Sequence, residues 1–137
     1  MVDAEAGDLL VARLWRWDDV RLRADAETDH RLQLRDNRPA PDYSISVFGH
    51  RLAPQEEIMA AAIALCQHIL TVPRSAKWVT FTTERHLNAA GFVLRLSEPP
   101  LQHYDVILGH ELASADLAKL ATVFNQYDRR RFPSCSL

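Results

Sequence analysis

Glycine and cysteine are scarce in this sequence, and each shortage excludes a kind of site. Only four glycines occur among the 137 residues, and they lie far apart. Phosphate-binding loops need several closely spaced glycines, so we expect no nucleotide-binding loop. Of the two cysteines, Cys66 falls in an apolar helical run and Cys135 lies near the C-terminus. We expect two free thiols and, because no histidine or cysteine spacing matches a zinc site, no metal and no cofactor.

Charge of one sign does not dominate, and long apolar runs are missing. Sixteen basic and eighteen acidic residues leave a net charge of −2, so we expect no general attraction to nucleic acid or to membranes. The longest apolar stretch, Ile58 to Leu65, is too short to span a bilayer. The first residues lack the basic and apolar regions of a secretory signal. Together these observations predict a soluble cytoplasmic protein.

The composition is otherwise that of an ordinary globular chain. Hydrophobic residues make up 47% of the sequence, and its length suits one domain over residues 1–137, with a frayed tail at 132–137. Fourteen of the sixteen basic residues are arginine. We interpret this arginine bias as the mark of a GC-rich bacterial genome rather than as a functional signal.

Hydrophobic periodicity predicts two long helices and one short one. The first covers residues 54–70, where Pro54 suits the first turn and apolar residues recur at helical spacing. The second covers residues 115–130, with Ser114 as its N-cap. A short helix near 84–90 follows Thr83 and ends before Gly91.

Alternating polar and apolar residues predict the strands of an α+β fold. Residues 20–23 and 30–35 alternate and predict a hairpin, as does the pair 92–97 and 103–108. The other predicted strands cover residues 9–17, 43–50 and 77–82. We expect a mixed, mainly antiparallel sheet of five or six strands, with both long helices packed on one face.

Several histidines fall at the ends of predicted strands, where an acid–base site could form. His50 and His103 are the candidates, with Asp105 as a candidate carboxylate partner. Other residues that could join such a pair are His110, Asp42 and Glu111. A histidine–carboxylate pair is the minimum for general acid–base catalysis. Because no serine or cysteine nucleophile lies in a suitable glycine context, a small enzyme is the alternative hypothesis and not the first.

Four aromatic residues are candidates for a binding surface. They are Trp15, Trp17, Tyr43 and Trp78. Aromatic and arginine side chains are enriched in the cores of protein interfaces, although core packing is the simpler explanation of the tryptophans. Our main hypothesis is a small non-catalytic protein-interaction module of immunity, antitoxin or accessory type. Its partner is another protein or a second copy, which would pair with the N-terminal strands if these form an exposed edge.

Arginines crowd the first third of the chain and raise nucleic-acid binding as a further alternative. Seven of them lie between Arg13 and Arg38, with Trp15 and Trp17 among them. Arginine and aromatic side chains together are typical of single-stranded nucleic-acid platforms. Ten acidic residues occupy positions 3–42, however, so we expect ion pairs to account for these arginines.

Overall fold

The computed structural model describes residues 4–13, 19–36, 42–70, 78–98, 101–125 and 129–131. For a few residues within these ranges, Trp78 among them, it describes the backbone and not the side chain. None of the helices in these ranges has the length and apolarity needed to cross a membrane.

The described strands form one antiparallel sheet. They are β1 (Leu9–Arg13), β2 (Tyr43–Arg51), β3 (Trp78–Thr83), β4 (Val93–Leu96), β5 (His103–Gly109) and β6 (Arg129–Arg131). Their order across the sheet is β4-β5-β2-β1-β3-β6, and every neighbouring pair is antiparallel. The α+β class and the β4–β5 hairpin are therefore confirmed. β1 covers Leu9–Arg13 of the predicted strand 9–17, and residues 14–18 lie outside the described ranges.

Four helices accompany the sheet in the described part of the chain. They are α1 (Asp19–Arg35), α2 (Ile58–Leu70), α3 (Glu84–Ala89) and α4 (Ser114–Asn125). The last three confirm the predicted helices, although α2 begins at Ile58 and the segment after Pro54 forms a turn. Thr83 caps α3 by accepting the His86 N–H at 3.2 Å, and Gly91 after the helix has a φ of +95°.

The C-terminal arginine run corrects the predicted extent of the last helix. The helix predicted over residues 115–130 is described as far as Asn125, and Arg129–Arg131 form the strand β6, which pairs with Trp78–Thr80. As a strand, this run pairs its backbone groups with those of β3. A helical turn at the same position would leave those groups of β3 without a partner from this run.

The predicted hairpin at residues 20–23 and 30–35 is wrong, because the whole segment is the 17-residue helix α1. Leu22 and Ala26 lie four residues apart, which places them on one face of a helix, and both are fully buried. The connecting residues contain alanine and glutamate but no glycine or proline, so they favour a helix over a turn.

The helices α2 and α4, which were predicted to pack on one face of the sheet, lie against opposite faces. Successive residues of β1 point to opposite faces, and all five are buried. One core cluster joins Leu9 and Val11 to residues of α1, α3 and α4, and the other joins Leu10 and Ala12 to residues of α2. A central strand with a continuous apolar run needs cover on both faces, so one helical layer could not suffice.

Two further expectations, an exposed N-terminal edge strand and a free thiol at Cys66, are wrong. The N-terminal strand β1 lies in the middle of the sheet, so it offers no exposed edge for self-association. Cys66 is fully buried among the apolar residues of α2, but its sulfur is part of a disulfide bond and is not a free thiol. Cys135 lies outside the described residues.

Candidate functional site

The strand at one end of the sheet carries exposed apolar side chains. Val93 is 63% exposed and Leu96 is 57% exposed, and both belong to β4. Leu101, in the turn before β5, is 65% exposed. Six large apolar side chains are exposed in the described part of the chain, and three of them lie in this nine-residue stretch. We call Val93, Leu94, Leu96 and Leu101 the β4 edge surface.

The main chain of β4 has hydrogen-bonding groups that point away from the sheet. The Ser97 N–H donates to the His103 carbonyl at 2.9 Å, and Arg95 lies opposite Asp105. In an antiparallel pair the residues alternate between facing the partner strand and facing outward. The N–H and C=O groups of Leu94 and Leu96 are therefore turned to the outer side, where no described strand pairs with them.

Arg95 is held beside this edge by two carboxylates. Its guanidinium lies 3.7 Å from Asp42 and 3.6 Å from Asp105, and Asp105 is only 8% exposed. His110 Nδ1 lies 3.4 Å from Asp42, so a histidine–carboxylate contact of the kind expected from the sequence is present here. The positive charge of Arg95 is thus balanced within the chain, and an acidic partner is not required to balance it.

His50 forms a histidine–carboxylate pair with a residue that the sequence did not suggest. Its Nε2 lies 2.9 Å from both carboxylate oxygens of Glu56, and the Gln102 amide nitrogen lies 3.2 Å from its Nδ1. A donating amide at Nδ1 places the ring proton on Nε2, which then donates to Glu56. The N–H of Ala53 and the His50 ring both lower the pKa of Glu56.

The other candidate catalytic residues have separate partners. His103 Nδ1 donates to the Ser97 carbonyl at 2.8 Å, and its ring packs edge-on against Phe48 at 5.4 Å. Asp105 faces Arg95. In the contacts that the structure describes, neither His50 nor His103 reaches Asp105.

The predicted aromatic surface is described only at one of its four members. The Tyr43 ring is half-buried and stacks on His30, with the ring centroids 4.0 Å apart. Trp15 and Trp17 lie outside the described residues, as does the side chain of Trp78. The β4 edge surface was missed because alternation places a strand without telling whether that strand ends the sheet.

Two of the N-terminal arginines form ion pairs with an acid in α1. Arg13 is 3% exposed and pairs with Asp25, while its other nitrogen donates to the Ser46 carbonyl at 2.9 Å. Arg21 Nε lies 3.4 Å from the same carboxylate. These contacts join β1, α1 and β2, so Arg13 serves packing and is not available to a nucleic-acid backbone.

In comparisons with known proteins, no family model, curated protein or solved structure matches this chain.

Proposed function

We propose that this protein is a small non-catalytic protein-interaction module that binds a protein partner through the β4 edge surface. Immunity proteins, antitoxins and accessory subunits of bacteria are modules of this kind. The single observation that carries the proposal is the coincidence, on β4, of exposed apolar side chains with outward main-chain groups.

One kind of partner, an extended segment, would satisfy the outward main-chain groups of β4 and also cover its exposed apolar side chains. An extended segment laid along β4 would accept and donate the hydrogen bonds that Leu94 and Leu96 present. It would also remove Val93 and Leu96 from water, and full burial of one such side chain is worth about 1.5–3 kcal/mol. Edge strands are protected from pairing by lysine or other charged side chains, by proline, by bulges or by being very short. β4 is short, with four residues, but it contains neither lysine nor proline, and its one charge is engaged by Asp42 and Asp105.

The proposal is tested by site-specific photo-crosslinking in the native cells. A photoreactive amino acid is placed at Leu96, and at Leu34 of α1 as the matched control, because Leu34 is 51% exposed. We expect one discrete crosslinked protein from position 96 and no such product from position 34. The same product from both positions, or no product from either, would contradict the proposal.

The cytoplasm is the proposed location, and the disulfide at Cys66 is the observation that opposes it. Disulfides are rare in cytosolic proteins, where thiols are kept reduced. Alkylation of thiols at the moment of cell lysis measures whether Cys66 is oxidised in the native cells. A reduced thiol agrees with the cytoplasm, and a disulfide indicates an oxidising compartment.

A second candidate function is acid–base catalysis at His50. The observation that favours it is the His50–Glu56 contact, which fixes the orientation of the ring. Nδ1 would act as the base, which requires that the Gln102 amide release it when substrate binds. A panel of simple ester, phosphoester and glycoside substrates, assayed with the wild type and with His50→Gln, tests it. Turnover that is lost in His50→Gln supports catalysis, and equal rates for both proteins contradict it.

A further inference from the structure

We infer that the partner of the β4 edge surface is a second copy of this chain, paired antiparallel across a two-fold axis at Leu94. This inference rests on the proposed function and specifies its partner. It would join two six-stranded sheets into one continuous sheet of twelve strands.

The outward main-chain groups determine which residues can pair. Two identical antiparallel strands are related by an axis that passes through one residue position or between two. With the axis at Leu94, the outward groups of Leu94 meet those of the partner's Leu94. The groups of Leu96 then meet those of the partner's Phe92, because Phe92 and Leu96 are each two residues from the axis. Both outward groups of Leu94 obtain an antiparallel partner, and the Leu96 N–H meets the carbonyl of the partner's Phe92. The Phe92 N–H already donates to the Leu87 carbonyl at 2.9 Å, so it adds no bond to this register.

The side chains in this register are complementary on both faces. On the face that contains Leu94, Leu94 contacts the partner's Leu94, and the exposed Leu96 contacts the partner's Phe92. On the other face the exposed Val93 lies opposite the partner's Arg95, whose aliphatic part can cover it. The apolar side chains that gain cover in this register are Leu94, Leu96 and Val93, while Phe92 is already only 6% exposed within its own core.

A neighbouring register is disfavoured by charge. With the axis at Arg95, the two guanidinium groups would lie directly opposite each other, and like charges in that position destabilise a strand pair. In the register centred on Leu94, each Arg95 lies opposite a valine and keeps its own Asp42 and Asp105. Charge therefore favours the Leu94 register over the Arg95 register.

Self-complementarity also favours a second copy over a foreign segment. The charge of Arg95 is balanced within the chain, so the edge does not demand an acidic partner strand. What it lacks is an apolar strand with outward hydrogen-bonding groups, and β4 itself is such a strand. Standard protein interfaces bury roughly 1,600 Å² in total. Because β4 has only four residues, this dimer would bury less. We therefore expect a reversible dimer that dissociates on dilution.

Sedimentation velocity of the full chain, from low to high micromolar concentration, tests the inference. We expect the wild type to shift from monomer to dimer, and Leu96→Lys to weaken the dimer at least about tenfold, which is about 1.4 kcal/mol. Leu34→Lys is the matched control, because this exposed residue lies on α1 and should leave the dissociation constant unchanged. Circular dichroism and thermal unfolding confirm that each variant is folded.

Charge at position 93 tests the register. Val93→Lys would place an ammonium group opposite the partner's Arg95, while Val93→Glu would place a carboxylate there. We expect the lysine variant to dissociate at least about five times more readily than the glutamate variant, about 1 kcal/mol. Equal dissociation constants for the two variants would overturn the Leu94 register.

Each remaining outcome separates this inference from the proposed function. A wild type that stays monomeric at all concentrations overturns the second copy as partner. A dimer that Leu96→Lys and Leu34→Lys weaken equally does the same. If position 96 still crosslinks a different protein in cells, the interaction function stands and only the identity of the partner is wrong. If position 96 crosslinks nothing and the wild type is monomeric, both are wrong.

Discussion

The guanidinium of Arg13, the last residue of β1, forms a buried ion pair with Asp25 of α1. Arg13 also donates to the Ser46 carbonyl of β2 at 2.9 Å, so one side chain links three elements. The pair lies next to Ala12 and Phe48, the last pair of the β1–β2 ladder among the described residues.

Loss of the carboxylate at position 25 should destabilise the fold. Asp25→Asn removes the carboxylate that pairs with the buried Arg13 guanidinium, and breaking a pair of this kind costs about 3 kcal/mol. Urea unfolding measures the change in the free energy of unfolding. Glu27→Gln, at an exposed position of the same helix, is the control and should change it little. Equal losses in the two variants would show that the ion pair does not stabilise the fold.

Asp29 makes stability depend on pH in the weakly acidic range. Burial, and then the charge of Asp105, raise the pKa of Asp29 from its usual 3.8 to about 6. Between these values the folded state binds more protons than the unfolded state, so stability falls as the pH rises through this window. We expect a decrease of about 1–2 kcal/mol after allowance for solvent screening.

The Asp29→Asn variant tests this assignment. It removes the titrating group while keeping the shape, so it should be more stable than the wild type above pH 6 and should lose the decrease below neutrality. Asp36→Asn, at an exposed position after α1, is the control and should keep the wild-type dependence. Denaturant unfolding from pH 4 to pH 8 measures both. If the stability of Asp29→Asn still falls as the pH rises, a group other than Asp29 causes the decrease.

Gly49 has no room for a side chain beneath the Tyr104 ring. A Cβ at this position of β2 would lie 2.9 Å from Tyr104 Cε1 and 3.3 Å from Leu9 Cδ1. We expect Gly49→Ala to lower the free energy of unfolding by about 1–3 kcal/mol, the usual cost of overpacking. The double variant with Tyr104→Ala is the control, because the added methyl group then meets space. If Gly49→Ala costs as much in the Tyr104→Ala background, the ring is not the cause.

The disulfide at Cys66 should contribute measurably to stability. Reduction restores conformational freedom to the unfolded chain, which typically costs about 2–4 kcal/mol of stability. We expect a reductant to lower the unfolding temperature of the wild type. Cys66→Ala should unfold near the temperature of the reduced wild type, and reductant should not change it further. A wild type whose unfolding temperature is the same with and without reductant would contradict this expectation.

Local patterns predicted those parts of the fold that local interactions decide. The N-cap at Thr83, the left-handed Gly91 and the stripes of α2 and α4 each depend on residues within a few positions, and the structure has them. The hairpin of β4 and β5 is equally local. The segment of α1 was misread because short alternation of leucine and arginine is compatible with either a strand or one face of a helix.

The candidate site depended on relationships that no local pattern contains. The sequence placed a strand at Val93–Leu96, but only the assembled sheet made that strand an edge and left Leu96 exposed. His50 was singled out correctly as a residue at a strand end, yet its carboxylate partner proved to be Glu56, six positions away across a turn.

What the sequence by itself determined is the α+β class and most of its elements, which follow from periodicity, caps and turn residues; α1 and β6 are the exceptions. Only the tertiary structure decided that β1 lies at the centre, that α2 and α4 cover opposite faces, and that β4 remains unpaired within the described chain. The reason is physical. Periodicity records that one side of an element is buried, while strand order and edge exposure depend on which distant segments compete for the same hydrogen-bonding groups.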